Sequence, residues 1–253
     1  MFNFFNKKKE PVKLFYTTDV HSHILPGIDH GSQSVEQSLE MLEAEIAMGI
    51  SRVMGTSHVT AETFENTPAT IKASCTILRE AIAEHGLPIT IEPSAEYRID
   101  EYWDKEYEAG HILPLPGNWL LMENSFQQEL LELDQLMFDI QCKGYRPILA
   151  HPERYSYYHY RRNRYETLHN AGVKFQVNLL SLAGYFGHHA KDIAMWLIES
   201  NMVDMLGSDM HNMTHAEVIQ DYLRSKEWAK IAKRLEPHII NDEVRYRPLS
   251  VTE

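Results

Sequence analysis

Short apolar runs alternate along this chain with longer segments in which apolar residues recur every three or four positions. Seven of the short runs predict strands, at residues 13–20, 52–56, 89–95, 119–122, 147–150, 173–180 and 203–207. The segments between them predict mainly helices, and a last amphipathic segment covers about residues 216–235. Strands that alternate with helices form a parallel sheet with crossover helices. Seven such units fit an α/β barrel, closed or nearly closed, better than a doubly wound sheet.

The composition favours one domain in a reducing compartment. The 253 residues carry a formal net charge of −12, which opposes a long nucleic-acid interface. No apolar run reaches the roughly 18–20 residues that span a bilayer. Cys75 and Cys142 lie in predicted helices and form no disulfide pattern. We therefore expect a cytoplasmic protein without stable membrane insertion, with a mobile tail at residues 1–12 and one domain at residues 13–253.

Two histidines follow the first predicted strand with one residue between them. His21 and His23 can direct both imidazoles to one point if the strand continues through them, because residues i and i+2 share a face. Imidazole is the commonest protein ligand for Zn, Mn or Fe. Taken alone, the pair is equally typical of an exposed loop.

Other predicted strands end in the same residue types. Six of the seven end in histidine or acid, at His21 and His23, His58, Glu96, Glu123, His151, and Asp209 with His211. Each residue alone is more typical of a solvated loop. In parallel α/β folds, however, the carboxyl ends of the strands meet on one face. Carboxylates that converge there require cations among them, and the mixture with imidazole suits Mn, Fe or Zn.

The order of the motifs HSHILPGID, TSH, AE, ME, AHPERY and SDMHN resembles the PHP superfamily (polymerase and histidinol phosphatase). Within it, the chain is most similar to the bacterial capsule and exopolysaccharide tyrosine phosphatases of the CpsB/CapC type. The resemblance extends from Tyr16 to about Asn212. It implies a distorted seven-stranded (β/α)7 barrel of the PHP type, with a trinuclear metal site at its carboxyl face.

The resemblance also implies three metal positions. The first position has His21, His23, Glu96 and Asp209 as ligands, and Glu96 bridges to the second position, which has Glu123 and His151. The third position has His58, His211 and the residue before Gly31, which in the usual motif is aspartate. Here that residue is His30. Either the imidazole serves as a ligand, with altered metal preference, or the third ion is weak or absent.

Further roles follow from the same resemblance and from side-chain chemistry. Arg154 matches the phosphate-binding arginine of the family, and a guanidinium binds phosphate oxygens bidentately. His215 lies where a second basic residue often follows SDMHN. With His58 and His211, it is a candidate proton donor to the leaving group. Tyr155, in an aromatic and basic run after the fifth strand, and Tyr97 are candidate contacts for a substrate ring.

The expected reaction is hydrolysis of phosphotyrosine on a protein by a metal-bound hydroxide. The cofactor would be a divalent cluster, with three ions and Mn first, and Fe or Zn as alternatives. The resemblance implies that the substrate is the tail of a bacterial tyrosine kinase controlling capsular or exopolysaccharide synthesis. A homo-oligomer is compatible with the sequence. A small-molecule phosphatase of the histidinol-phosphate type and a degraded metal-binding module with little activity are the alternatives.

Overall fold

The computed structural model describes residues 11–245, and the helices and strands within this range alternate as the apolar pattern predicts. The strands are β1 Thr18–Ser22, β2 Arg52–Val59, β3 Thr90–Arg98, β4 Trp119–Glu123, β5 Arg146–Ala150, β6 Lys174–Asn178 and β7 Met205–Gly207. The helices are α1 Val35–Ala47, α2 Pro68–His85, α3 Glu101–Glu108, α4 Leu133–Cys142, α5 Arg162–Asn170, α6 Leu179–Leu182, α7 His188–Glu199, α8 Met213–Leu223 and α9 Lys226–Leu235. Short 3-10 turns lie at Pro152–Arg154, Ser156–Tyr158 and Asn241–Glu243.

All seven strands are parallel, and they pair in sequence order from β1 to β7. The segment that follows β7 returns to β1. The His23 amide donates to the Met210 carbonyl at 3.0 Å, and the Asp209 amide donates to the His21 carbonyl at 2.8 Å. We call this junction the seam. It brings the two ends of the sheet together, so the predicted nearly closed (β/α)7 barrel is confirmed.

Side chains of the strands alternate between two apolar layers. Val20, Met54, Leu121, Ile148 and Met205 pack together inside the barrel. Their neighbours in sequence face outward and pack under the helices, in a core that includes Val53, Leu120, Leu149 and Leu206. Because successive strand residues point to opposite faces, the inner layer fills the amino end of the barrel. The carboxyl end is left for polar side chains.

Several predicted boundaries differ from those of the structure, and three of the differences have a local cause. β1 begins at Thr18 and not at residue 13, because the segment before it runs outside the sheet. β6 ends at Asn178, since Leu179–Leu182 form a short helix whose four residues are all buried. The last amphipathic segment forms two helices, because the Ser225 side chain caps a new helix by accepting from the Trp228 amide at 3.0 Å.

Residues 1–10 of the predicted tail lie outside the described range. The amide of Val12, which was also assigned to that tail, donates to the Gln220 side chain on α8. Within residues 11–245, no helix combines the length and apolarity that crossing a bilayer requires.

Candidate metal centre

The carboxyl ends of the strands surround a cleft of about 330 Å³. Histidines, acids, two arginines and two phenylalanines line it: His30, His58, Glu96, Arg98, Glu123, Phe126, His151, Arg154, Phe186, Asp209, His211, Asn212 and His215. The side chains of His21 and His23 lie beneath this surface and are fully buried. The structure therefore brings together every residue that the sequence assigned to a metal.

The four side chains assigned to the first position converge at the base of the cleft. The Nε2 atoms of His21 and His23 lie 3.2 Å apart. Each lies 3.4 Å from Glu96 Oε2 and within 3.5 Å of Asp209 Oδ1. The pairing of β1 with β2 shifts register between Asp19 and Ser22. Val20 and His21 are neighbours in sequence, yet both side chains lie inside the barrel at this irregularity. A β-bulge can redirect a side chain in this way.

The second position lies beside the first and shares Glu96 with it. His151 Nε2 lies 3.1 Å from Glu96 Oε1 and 3.6 Å from Glu123 Oε1. His151 has a φ of +33°, and Asp209 has a φ of +48°. Positive φ is unfavourable for residues with a Cβ and persists where the surroundings enforce it. At both strand ends this backbone turns a ligand into the cleft.

Four imidazoles, those of His23, His30, His58 and His211, lie against one another along one side of the cleft. The ring centre of His30 lies 4.7 Å from that of His58 and 4.6 Å from that of His211. His23 stacks on His211 at 4.0 Å. His58 also points Nδ1 at Glu96 Oε2, 2.9 Å away. His58 and His211 thus lie between His30, which is exposed at the rim, and the buried first position.

The donor atoms fit a cluster of divalent cations. Four sets of three ligand atoms, each set within 4.8 Å, are present among the described residues. These sets are His21–His23–Glu96, His21–His151–Asp209, His58–Glu96–Glu123 and His23–His58–His211. His211 Nε2 is buried and has no hydrogen-bond partner among the described residues. Because buried polar atoms are nearly always satisfied, this lone pair is available to a metal ion.

Electrostatics at the base of the cleft favours the ionised carboxylates. Burial raises the pKa of Glu96 and Asp209, but His21 and the neighbouring cations outweigh it and hold both pKa values well below the usual range. Burial lowers the pKa of His21, yet Glu96 and Asp209 together raise it to about 9. By contrast, burial and the neighbouring His23 lower the pKa of His211 to about 2. The imidazole of His21 and the carboxylates of Glu96 and Asp209 thus attract each other strongly.

Two amide side chains, Gln176 and Asn178, contact the residues of the first position. Both belong to β6, the described strand to which no metal ligand is assigned. His21 Nδ1 lies 2.7 Å from Gln176 Oε1, and Gln176 Nε2 donates to Asn178 Oδ1 at 2.7 Å. Asn178 Nδ2 then donates to Asp209 Oδ2 at 2.6 Å. We call this chain the amide relay. It places the His21 proton on Nδ1 and leaves Nε2 free for metal, as second-shell partners do.

Space for the relay comes from Gly207 on β7. A Cβ at Gly207 would lie 2.6 Å from Gln176 Nε2 and 2.8 Å from the His21 Cβ. The sequence analysis missed Gln176 and gave Asn178 no role. The available signal was a pair of amides at alternate positions of an otherwise apolar strand, which predicts that both face the interior.

Asp29 and Asp19 hold the backbone and rings of the ligands. Asp29 Oδ2 lies 2.9 Å from His23 Nδ1 and accepts from the His58 amide at 3.1 Å. Asp29 is therefore a partner of the ligands. Asp19 accepts from the amides of His21 and Ser208 and from the Ser208 hydroxyl, at 3.3, 3.1 and 2.6 Å. These bonds fix both segments of the seam.

Arg154 lies at the rim between two aromatic rings. Its guanidinium carbon is 4.9 Å from the centre of Phe126 and 4.0 Å from that of Phe186. One nitrogen donates to Asp209 Oδ2 at 3.0 Å. A second arginine, Arg98, donates from Nε to Glu123 Oε2 at 2.6 Å. The cleft thus offers cationic groups next to an apolar wall, an arrangement suited to an aryl phosphate.

Two residues assigned to the substrate are corrected by the structure. Tyr97 is 1% exposed, since it follows the inward-facing Glu96 on β3 and therefore points outward, where its hydroxyl accepts from the Leu113 amide. Tyr155 is fully buried, and its hydroxyl donates to the Ala150 carbonyl and accepts from the Asn124 amide. Neither contacts the cleft. The aromatic surface there belongs to Phe126 and Phe186.

His215 does line the cleft, at the first turn of α8. Asn212 caps this helix by accepting from the His215 amide. His215 Nδ1 lies 3.3 Å from the His211 amide nitrogen and 3.4 Å from the Asp209 carbonyl oxygen. These two contacts hold the imidazole against the segment that follows β7.

Comparison with known proteins places these features in context. Residues 17–235 match the family model described as capsular polysaccharide synthesis, CpsB/CapC. The chain is 31% identical to tyrosine-protein phosphatase YwqE of Bacillus subtilis over 77% of each chain. It is 28% identical to tyrosine-protein phosphatase CpsB of Streptococcus pneumoniae, covering 86% of this chain and 93% of that protein.

Solved structures agree with these matches. One, described as crystal structures of YwqE from B. subtilis and CpsB from S. pneumoniae, unique metal-dependent tyrosine phosphatases, superposes with a TM-score of 0.77 at 28% identity. That match covers 86% of this chain and 90% of the other. The lactonase Lmo2620 from Listeria monocytogenes shares the fold, with a TM-score of 0.55 at 11% identity over 93% and 91% of the two chains.

Proposed function

Because the chain belongs to the CpsB/CapC family of capsular polysaccharide synthesis proteins, we propose that it is a metal-dependent protein-tyrosine phosphatase. The relatives named above are tyrosine-protein phosphatases. One observation on this chain carries the proposal. Arg154 lies between Phe126 and Phe186 at the edge of a cluster of buried carboxylates and imidazoles. A guanidinium, an apolar wall and metal-ligating side-chain types therefore share one cleft, which supports the proposal.

Each part of the cleft has a role in hydrolysis of an aryl phosphate. Bound divalent ions supply positive charge for the phosphate oxygens and lower the pKa of water. Arg154 binds phosphate oxygens with the nitrogens that do not contact Asp209, and it offsets charge that develops on them. Phe126 and Phe186 contact the phenyl ring and exclude water from it. His215 donates a ring proton toward the oxygen of the leaving phenol.

The cluster proposed here has three ions. Glu96, Glu123 and Asp209 are hard oxygen donors and suit Mn in the first and second positions. His58 and His211 form the third position with His30. The natural substrate proposed is the phosphotyrosine-bearing tail of a bacterial tyrosine kinase in the cytoplasm, because the family acts in polysaccharide synthesis. A flexible tail is a suitable substrate, since it can reach buried metal through an open cleft.

Substrate comparison tests the proposal directly. The Mn-loaded protein should hydrolyse a phosphotyrosine peptide with a kcat/KM well above that for histidinol phosphate or a phosphoserine peptide. Phe186→Ala should reduce this preference, because the apolar wall for the phenyl ring is lost. Faster turnover of histidinol phosphate would instead establish a small-molecule phosphatase. If the protein binds metal but hydrolyses none of the three substrates, the alternative of a metal-binding module with little activity would be supported.

Replacement of the arginine tests its role apart from the metals. Arg154→Ala should lower kcat/KM on the order of 100-fold, the effect of removing one group that stabilises transition-state charge, while the metal content stays the same. Arg154→Lys should recover only part of the loss, because lysine lacks the planar fork. Arg79→Lys is the matched control, since Arg79 pairs with Glu92 on α2 and β3 outside the cleft. Unchanged turnover in Arg154→Ala would refute the assignment.

A further inference from the structure

We propose that Arg98 is a second phosphate-binding residue, which contacts the phosphoryl group of the substrate together with Arg154. The inference rests on the proposed phosphatase function, and it concerns how the cleft holds the group that is transferred. The observations are the location of Arg98 on β3, its hydrogen bond to Glu123, and the contact that both arginines make with the ring of Phe126.

Arg98 is the last residue of β3 and lies at the surface of the cleft. It follows Glu96 by two positions, so both side chains point to the same face of the strand, with Arg98 roughly 7 Å nearer to the rim. Its register partner on β4 is Glu123. The Arg98 side chain is 30% exposed and lines the cleft. It can therefore meet a substrate directly beside a carboxylate proposed for the second metal position.

The hydrogen bonding of Arg98 leaves the end of its guanidinium available. Nε donates to Glu123 Oε2 at 2.6 Å, and within residues 11–245 neither Nη1 nor Nη2 has a hydrogen-bond partner. Arg154 is used in a similar way, because Nη1 donates to Asp209 Oδ2 at 3.0 Å. Each arginine thus contacts one carboxylate and keeps other donors for an anion. A guanidinium with two open nitrogens binds phosphate oxygens bidentately.

One aromatic ring contacts both arginines. The guanidinium carbon of Arg98 is 5.7 Å from the centre of the Phe126 ring, and that of Arg154 is 4.9 Å from it. Among the described residues, these two are the arginines that line the cleft. An aryl phosphate that packs against Phe126 therefore has two guanidinium groups near its oxygens, and arginine keeps its positive charge in proteins.

The loop that carries Phe126 is held by the aromatic run that follows β5. The Asn124 amide donates to the Tyr155 hydroxyl at 3.0 Å. The Tyr157 hydroxyl donates to the Ser125 carbonyl at 2.9 Å. These bonds fix the two residues just before Phe126, so its ring has a defined place beside both arginines.

A purely structural role for Arg98 has a different consequence. If Arg98 only orients Glu123, its removal weakens metal binding at the second position, and saturating Mn restores the binding of phosphate. If Arg98 itself binds phosphate, the loss of phosphate affinity persists at saturating Mn. Separate measurements of bound metal and bound phosphate distinguish the two roles.

Binding of inorganic phosphate to the Mn-saturated protein provides the test, because it requires no turnover. Arg98→Ala should raise the dissociation constant for phosphate about 10- to 100-fold, the effect of losing a hydrogen bond to a charged group. Isothermal titration calorimetry measures phosphate binding, and plasma mass spectrometry measures the bound Mn. Arg98→Lys should recover only part of the affinity, because lysine lacks the planar fork.

Arg79→Ala is the matched control for the loss of one positive charge. Arg79 pairs with Glu92 outside the cleft, so this variant should bind phosphate as wild type does. Unchanged phosphate affinity in Arg98→Ala would overturn the proposal, even if turnover of a peptide falls. A loss of phosphate affinity that excess Mn restores in full would also overturn it.

The phosphate measurement separates this proposal from the proposed function. Phosphate binding that depends on Arg98, in a protein that hydrolyses no phosphotyrosine peptide, would reject the phosphatase and keep the role of Arg98. Hydrolysis of the peptide by Arg98→Ala, with the turnover and the phosphate affinity of wild type, would do the reverse.

Discussion

At the residue scale, the amide relay of Gln176 and Asn178 connects side chains that are far apart in sequence. His21 and Gln176 are 155 positions apart in sequence, yet their side chains are 2.7 Å apart. The relay links His21 to Asp209, and Arg154 contacts the same carboxylate oxygen as Asn178. Two proposed metal ligands and the proposed phosphate-binding arginine are therefore linked through one pair of amides. β6 contributes no ligand because its inward positions are used for this support.

Gln176→Leu should weaken metal binding about 10- to 100-fold, the usual cost of removing an outer-shell partner. The physical reason is that the His21 ring loses the acceptor that selects its tautomer and orientation. Metal titration followed by calorimetry measures the change, and excess Mn should restore much of the activity. Gln135→Leu on α4 is the matched control, because Gln135 bonds only its neighbour Asp139. Equal metal affinities for Gln176→Leu and wild type would contradict the role assigned to the relay.

Site residues could be found from the sequence where the residues next to them in the chain indicate their position, and were missed where their role depends on distant strands. His58, Glu96 and His151 each follow an apolar strand, so the fold class predicts where they point. Gln176 acts through partners on β1 and β7, and no local pattern indicates those contacts. Tyr97 illustrates the opposite error, since its aromatic side chain next to Glu96 suggested the cleft. Adjacent residues of a strand point to opposite faces, so Glu96 faces the cleft and Tyr97 faces the core.

At the scale of elements, the end of the sheet is held by a buried acid at the entrance to β7. Asp204 accepts from the Phe175 amide at 2.9 Å and from Lys174 Nζ at 2.7 Å, both on β6. His169 Nε2 on α5 lies 3.0 Å from the same side chain. Burial raises the pKa of Asp204, but these three partners lower it by more. The carboxylate therefore joins α5, β6 and β7 before the seam.

Asp204→Asn should reduce the free energy of unfolding at pH 7 by about 1–3 kcal/mol, the range for hydrogen bonds to a charged group. A carboxyl whose pKa is lower when folded stabilises the fold above its unfolded pKa near 4. This stabilisation is lost as the pH falls through the lower, folded pKa. Urea unfolding at pH 7 and near pH 3 measures both limits, and the difference between the proteins should shrink in acid. A difference that does not change with pH would contradict this role.

The number and order of the strands could be predicted because each apolar run is bounded by turn residues. Their ends could not be predicted to the residue. Leu179–Leu182 continue the apolar pattern of β6, but they form a buried helical turn. Burial on all sides removes the periodicity that separates strand from helix. The break between α8 and α9 depends on one helix cap at Ser225. A single serine within an amphipathic segment is weak evidence that one helix ends and another begins.

At the scale of the whole molecule, the barrel has an apolar amino end and a charged carboxyl end. Val20, Leu121 and Met205 fill the first, while Glu96, Glu123 and Asp209 lie buried in the second. Buried carboxylates that repel one another oppose folding unless cations lie among them. We therefore expect the stability of this fold to depend on bound metal ions.

Removal of metal should lower the midpoint of thermal unfolding, and Mn should restore it in a concentration-dependent manner. A ligand at 100 times its dissociation constant adds about 2.7 kcal/mol per site. Differential scanning calorimetry of chelator-treated protein, with and without Mn, measures the shift. Glu96→Gln should be less sensitive to the chelator than wild type, because it removes the carboxylate shared by two positions. A melting temperature independent of Mn would argue against a metal centre in this cleft.

The seam between β1 and the segment after β7 ties the formation of the proposed metal centre to synthesis of the chain as far as Met210. Asp19 and Ser208 form their hydrogen bonds across 189 positions of sequence, and Asp209 lies one residue further. A ribosome delivers the amino-terminal half first, so a growing chain carries His21 and His23 long before Asp209 exists. A truncated product has neither a closed barrel nor a complete first position. We therefore expect ion capture at the first position to require synthesis through Asp209, and a fragment that ends before it to bind metal weakly and to be cleaved more readily by proteases.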